Sequence, residues 1–449
     1  MGMRKMSNSR IVTTTAGAKP RLMLLPSLRF ALAGMVAVIG LAGCTGPGAS
    51  PSAQLTAVPS IQGTVTANPT VTPPATPTLS PAPAQPLKFV ATGKMHMARS
   101  SATATRLQNG KVLIAGGGNT SDPFAEAVYA SAELYDPFTG KFSNTGSMTA
   151  ARADHTATLL EDGRVLITGG WGCSHPNSCS HMSGSTVEIL ASAEVYDPGT
   201  GKFSPTGSMA TSRQVATATL LQDGRVLVAH GTAGVNQFAE LYDPKSGKFA
   251  RTGKETGFNY PTATLLPNGK VLVTGEMGSG EIRAELYDEA TGKFTMTSIA
   301  LSPGVAHSAQ YKGQVVERVR PGQVTVLKDG RVVLFEGGYL ETYDPATGVC
   351  ADAGFVSPGG QWLGATATLL SDGRVLFEGG ALLNDPDADY VNTNSAVVYD
   401  PSGGPEVIGQ TLAARYNQTA TLLPSGSVLI AGGEDSNEKP LASAELLKP

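Results

Sequence analysis

One pattern constrains this chain more than any other feature: a motif that returns seven times. The stretch Thr156–Gly170, reading TATLLEDGRVLITGG, recurs as Ala102–Gly117, Thr217–Gly231, Thr262–Glu276, Gln323–Gly338, Ala365–Gly380 and Gln418–Gly433. A second half-motif, Ser192–Phe203 (SAEVYDPGTGKF), is matched at Ser131–Phe142, Phe238–Phe249 and Arg283–Phe294. The turn glycines fall at 110, 163, 224, 269, 330, 373 and 426, a mean spacing near 53 residues. A unit of this size cannot bury its apolar faces alone, so the copies must pack against one another.

Each copy predicts four strands. Thr-Ala-Thr-Leu-Leu is small or apolar on both faces, as a strand buried between neighbours requires. Asp-Gly or Asn-Gly then predicts a type I′ hairpin turn with two positive-φ residues, and Arg-Val-Leu-Ile is the return strand. The Gly-Gly pair ending it leaves no Cβ where backbones approach or bend. Ala-Glu-Leu-Tyr is the third strand. Asp-Pro-x-Thr-Gly is a tight turn, with Pro presetting φ and Gly in the left-handed position. Gly-Lys-Phe opens the fourth strand.

The Gly-Gly after the second strand, the Tyr of the third and the aromatic of the fourth resemble the kelch motif. The resemblance covers about 360 residues in seven copies. It implies an all-β fold, a seven-bladed kelch-type β-propeller over residues 87–449. There are departures. Phe142, Phe203, Phe249 and Phe294 stand where kelch repeats usually carry Trp. Blade 3 has His230-Gly231 and blade 4 Gly275-Glu276 in place of Gly-Gly. Blade 5 has Cys350 at the aromatic position, read as a buried stand-in for Phe, and blade 6 lacks Gly-Lys-Phe. The chain stops at Pro449 one strand short, while residues 87–93 match Gly140–Gly146. Those residues are therefore expected to complete the last blade and close the ring.

Residues 1–43 hold six of the 33 Lys and Arg and none of the 36 Asp and Glu, so the rest of the chain stands near −9. No basic patch or stripe of the kind a nucleic-acid binder needs is present, and attraction to anionic lipid is equally disfavoured. Arg21 and Arg29 precede an apolar run, Phe30 to Ala42. It has the length of a signal-peptide core and falls short of the roughly 20 residues that span a bilayer. The run ends in Leu41-Ala42-Gly43-Cys44, which resembles the bacterial lipobox and implies that Cys44 is lipidated. Residues 45–86 carry no charge, ten Pro and eight Thr. Such a segment reads as a disordered, partly polyproline tether. The expected plan is a signal peptide over 1–43, a linker over 44–86 and a propeller over 87–449. It would be extracytoplasmic, anchored to the membrane through lipid alone, and monomeric.

Connectivity puts the Asp-Gly and Asp-Pro turns on one side of the ring. The links from second to third strand and from blade to blade lie on the other. Nearly all length variation falls on that loop side, where binding tends to concentrate. Arg99, Arg152, Arg213 and Arg415 share one repeat position there. Phe258, Val319 and Trp362 take it in blades 4, 5 and 6. Blade bracing is the plain reading of that series and of the Glu series at 133, 194, 240, 285, 341 and 445. A cationic half-rim is the functional one, and with Trp171, Trp362 and His155 it makes the expected ligand contacts, because Trp and Arg are the commonest energetic anchors. Cys173, His175, Cys179 and His181 are of the types that ligate zinc, while export favours a Cys173–Cys179 disulfide. The carboxylates of Asp385, Asp387 and Asp389 lack the Gly and distal Glu of a calcium loop and read as a solvated loop. Galactose oxidase shares the kelch propeller and holds copper with two His and two Tyr. His155 and His307 lie near the start of inner strands, but spacing yields no matching ligand set, and no metal or cofactor is expected. The sequence thus favours a non-catalytic module binding protein or carbohydrate on the loop side. A secreted enzyme of the galactose-oxidase-like or glycan-processing class and a structural envelope protein are the alternatives.

Overall fold

The computed structural model describes residues 87–119, 127–173, 187–231, 238–277, 282–300, 309–311, 314–316, 323–357, 361–383 and 391–449. Cys44, Cys179, His175, His181, His307, Val319 and the acidic loop at 385–389 lie outside them, as do the expected signal and linker.

The repeats form seven four-stranded antiparallel sheets. Blade 1 runs from the inside out as Thr103–Arg106, Val112–Ala115, Ala132–Asp136 and Lys141–Asn144. Its inner strand lies beside those of blade 2 (Thr156–Leu159) and blade 7 (Thr419–Leu422). The same neighbour relation continues through every blade, so the circuit of inner strands closes. Blade 7 takes its outer strand from the start of the domain. Lys88–Ala91 pairs antiparallel with Ala444–Lys448, Lys88 opposite Lys448 and Ala91 opposite Glu445. The expected closure is therefore what the fold contains.

The apolar core divides into seven clusters, one for each seam between blades. The second strands explain this. Leu113 points into the seam with blade 2, whereas Val112 and Ile114 point into the seam with blade 7. Because alternate side chains face opposite sides, a strand buried on both must be apolar throughout, and Val-Leu-Ile is. A polar bond repeats in the same seams. The Tyr135 hydroxyl lies 2.8 Å from Thr92 Oγ1 of the preceding link, and Tyr196, Tyr242 and Tyr287 meet Thr145, Thr206 and Thr252 at 2.8–2.9 Å. Each of these rings also packs on the Phe across the strand pair, with centroids 4.7–4.9 Å apart. In blade 5, Cys350 stands opposite Tyr343 but is half-buried rather than buried, and it forms no disulfide.

The inner hairpins differ from the expected type I′ turn. Only the glycine is left-handed, Gly110 at φ 81° and Gly163 at φ 87°. Leu107 N–H donates to Lys111 O at 2.8 Å and Gly110 N–H to Leu107 O at 3.0 Å, which closes a three-residue loop. This is a type I turn followed by a left-handed residue. The preceding Asn or Asp stays right-handed because its side chain accepts the N–H two residues on, as Asp162 does from Arg164 at 3.0 Å.

Candidate functional site

The four arginines are not a surface. Each side chain is at most 1% exposed and spends its donors inside the blade. Arg152 Nη1 donates to Gly169 O (2.9 Å) and Ser192 O (3.0 Å), and Nη2 to Ser192 Oγ (2.8 Å) and Glu194 Oε1 (3.1 Å). Arg99 makes the same set with Gly116, Ser131 and Glu133, and Arg415 binds Gly432 and Ser443 likewise but reaches Glu445 Oε1 through Nε, at 3.1 Å. The glutamates also accept backbone N–H groups of the incoming link, Glu194 from Thr149 at 2.7 Å and Ala150 at 3.2 Å. Burial pushes the Glu133 carboxyl up, but the N–H groups of His96 and Met97, the His96 ring and Arg99 outweigh it and hold it below its ordinary value. The expected cationic half-rim is thus corrected. The guanidiniums are buried and tie each blade to its incoming link.

Trp362 is corrected in the same way. It is fully buried, and its indole Nε1–H donates to Gly379 O at 2.6 Å. Gly379 is the counterpart of the glycine carbonyl that the arginines bind, so the indole replaces one guanidinium bond, and Phe335 packs edge-on at 5.5 Å. The brace carboxylate is absent too, since Val397 stands at the glutamate position. Blade 4 solves the loss differently. Phe258 replaces Arg, and His230, at the position of the first glycine of blade 3, stacks on it at 5.1 Å with Nε2 2.9 Å from Glu285.

His155 is 6% exposed, and its Nε2 lies 2.9 Å from Thr103 Oγ1. Burial, with Arg152 adding to it, pushes its pKa down to about 3, so it is neutral over the ordinary pH range. It occupies room that Gly116 leaves, because a Cβ there would sit 2.7 Å from His155 Cε1 and 2.4 Å from Arg152 O. A ligand contact by this ring as expected is corrected on the same grounds.

At the loop-side ends of the inner strands of blades 1, 2, 3, 4 and 7 the side chains come from one repeat position, two residues before the first Thr. Ser101, Asp154, Val215, Tyr260 and Asn417 are left-handed there, with φ between 46° and 56°. Their backbones run blade to blade: Val215 N–H donates to Asp154 O (3.0 Å), Asp154 N–H to Ser101 O (3.2 Å) and Ser101 N–H to Asn417 O (3.3 Å). The bond pattern over-determines a conformation that otherwise costs about 1–3 kcal/mol per residue. Onto this arc the loops add polar and aromatic groups. Trp171 Nε1–H donates to Asp154 Oδ2 at 3.0 Å, and Asn417 Nδ2 lies 3.5 Å from Glu434 Oε1. All four side chains are half-buried. Small extra sheets carry these loops: Ala151–Ala153 with Trp171–Cys173 and Glu188–Ile189 on blade 2, and Gln361–Leu363 with Ala381–Leu383 and Val391–Asn392 on blade 6. Cys173 is disulfide-bonded, and Cys179 lies outside the described residues.

Trp171 is the one sequence-expected ligand residue that reaches this mouth. Asp154, Asn417 and Glu434 were missed. The signal available for the first two was variability, because Ser, Asp, Val, Tyr, Gly and Asn share one position of an otherwise uniform motif.

The copper set that the galactose-oxidase resemblance implies does not fit the residues described. His155 is engaged with Thr103, and among the described residues no three His, Cys, Asp or Glu gather as a metal site. No family model and no curated protein matches the sequence. Solved structures do. A fungal alcohol oxidase of the AA5 family, in complex with copper, superposes with a TM-score of 0.60 at 16% identity, over 81% of this chain and 77% of that one. YjhT matches with a TM-score of 0.48 at 14% identity, over 79% of this chain and 95% of its own. The likeness to the oxidase shows that the fold is a β-propeller of its architecture.

Proposed function

We propose that this chain is an extracytoplasmic, lipid-anchored binding protein that holds a carbohydrate or protein ligand at the loop-side mouth without acting on it chemically. The observation that supports this best is the continuous arc Trp171–Asp154–Ser101–Asn417–Glu434. It combines a half-buried aromatic ring, two carboxylates and an amide on a rigid, hydrogen-bonded base to which buried Ser101 contributes its backbone. Few but well-placed polar groups beside an aromatic surface are what a small-molecule or saccharide site needs, and fixing them in advance lowers the ordering cost of binding.

The test is a saccharide array and calorimetric titration of the purified chain, with Asp154→Asn and Trp171→Ala. Binding that falls by about tenfold or more in both variants, with melting temperatures unchanged within a few degrees, supports the reading. Ligand turnover by the wild-type chain would replace it with the enzyme reading, and equal affinity in wild type and both variants would remove the mouth as the site. Lipid anchoring rests on Cys44 and is tested apart from this. Cys44→Ser is expected to move the protein from the detergent phase to the aqueous phase, and unchanged partition would overturn the anchor.

A further inference from the structure

Among the described residues the outer strands of the blades are edge strands with one unpaired backbone side, and most carry a guard. The first residue is an exposed lysine in blades 7, 1, 2, 3 and 4, namely Lys88, Lys141, Lys202, Lys248 and Lys293. Blade 6 has Pro405 near the start of Gly404–Gln410. Lysine and proline are the usual means by which an edge refuses another strand. The outer strand of blade 5, Val349–Phe355, has neither. Val349 stands 54% exposed at the guard position, and Phe355 (51%) forms a pair with Tyr339 (50%), centroids 4.8 Å apart. The strand is regular over Val349–Asp352 and bulges only beyond, where Asp352 Oδ1 accepts the Gly354 N–H at 2.8 Å. Blade 6 extends the apolar surface. A Cβ on Gly354 would lie 3.8 Å from Pro405 Cδ, and Val407 is 68% exposed.

We propose that this edge takes an extended segment of another protein whose side chains alternate between apolar and basic. The charges select the occupant. Asp352 and Glu406 are the only charged residues on these two outer strands. Anionic lipid is repelled by them, and a second copy docked through the same patch would set like charges against each other. The chain's own 45–86 segment carries no Lys or Arg to meet the two carboxylates. A strand with Lys or Arg on one face meets the carboxylates, and its backbone satisfies the open edge, as in strand addition to other sheets. This site is separate from the mouth.

The experiment titrates the full chain with a labelled octapeptide of alternating Val and Lys, and with its Val–Glu counterpart, by fluorescence anisotropy, and maps amide hydrogen exchange. The Val–Lys peptide should bind at least about tenfold more tightly and slow exchange over 349–352, and Val349→Lys should weaken it about tenfold at an unchanged melting temperature. Asp154→Asn should leave it intact, which separates this outcome from the mouth. Binding unchanged by Val349→Lys, or protection lying elsewhere, overturns the proposal. So does protection of this strand by phosphatidylglycerol vesicles in place of the peptide, or by self-association that Val349→Lys abolishes.

Discussion

Blades 7, 1 and 2 differ from blades 4 to 6 in how they hold the same architecture. The first group uses one device three times, a buried Arg–Glu brace, and has outer strands of four residues. In the second group Phe258 and Trp362 replace the arginine, and the outer strands run to seven or eight residues with a register shift in each. In blade 6 an indole supplies both the donor to the glycine carbonyl and the bulk that a guanidinium supplies elsewhere, whereas in blade 4 Phe258 keeps only the bulk and stacks on His230. The charged solution is cheap only when complete, because both ions are desolvated and each depends on the other.

The comparison breaks most severely at the closure. A chain lacking residues 87–93 loses a paired and packed strand of blade 7 and exposes Leu447 and its neighbours. The expected loss is several kcal/mol, read as a lowered thermal midpoint against a chain starting at residue 80. Equal midpoints would show that the strand is dispensable. Next in size are the braces. Arg152→Ala leaves Glu194 buried without its cation and should cost about 3–5 kcal/mol in denaturant unfolding. Trp362→Phe removes one hydrogen bond to a buried carbonyl and little volume, and should cost about 1–3 kcal/mol. Equal losses at the two positions would mean that charge is not what separates the halves.

The last effect, of opposite sign and confined to high pH, tests a carboxylate that has no brace. Glu378 is fully buried between blades 6 and 7, where Thr366 Oγ1–H donates to it at 2.5 Å and Gln418 Nε2 lies at 3.4 and 3.5 Å. Burial pushes its pKa up to about 7, with Arg415 acting only from a distance. The unfolded chain holds this proton less tightly. Stability is therefore full below the unfolded value near 4.5 and is lost as pH rises to 7. Glu378→Gln should leave stability unchanged near pH 4 and raise it by up to about 3 kcal/mol at pH 8. A constant difference across that range would refute the assignment.

The architecture was legible because each copy of the repeat states the same strand pattern, and the shortage of one outer strand pointed to residues 87–93. The role of Trp362 was not, and for the arginines bracing stood beside a rim role that only their burial separates from it. A side chain's burial is decided by carbonyls and carboxylates from strands that its own sequence neighbourhood does not contain. Gly116 shows the same limit, since its lack of a Cβ makes room for His155 of the next blade. The hairpin turns were misread by one residue, because Asp-Gly serves both a two-residue and a three-residue loop and only the cross-strand bond tells them apart. At the mouth, Trp171 was found by its type, whereas Asp154 and Asn417 stand out only once the repeat position is known to face the axis.

The clasp between Lys88–Ala91 and Ala444–Lys448 also fixes an order in time. The first strand of the domain to be made pairs with the last. At about 5–20 residues per second the intervening chain takes roughly 20–70 s to appear. For that interval six blades can pack while the seventh waits with an open edge, as the final strand has yet to arrive. A chain terminated even a few residues early, before Glu445 can receive Arg415, never leaves that state. It keeps Lys88–Ala91 without its partner strand and leaves blade 7 with an open edge.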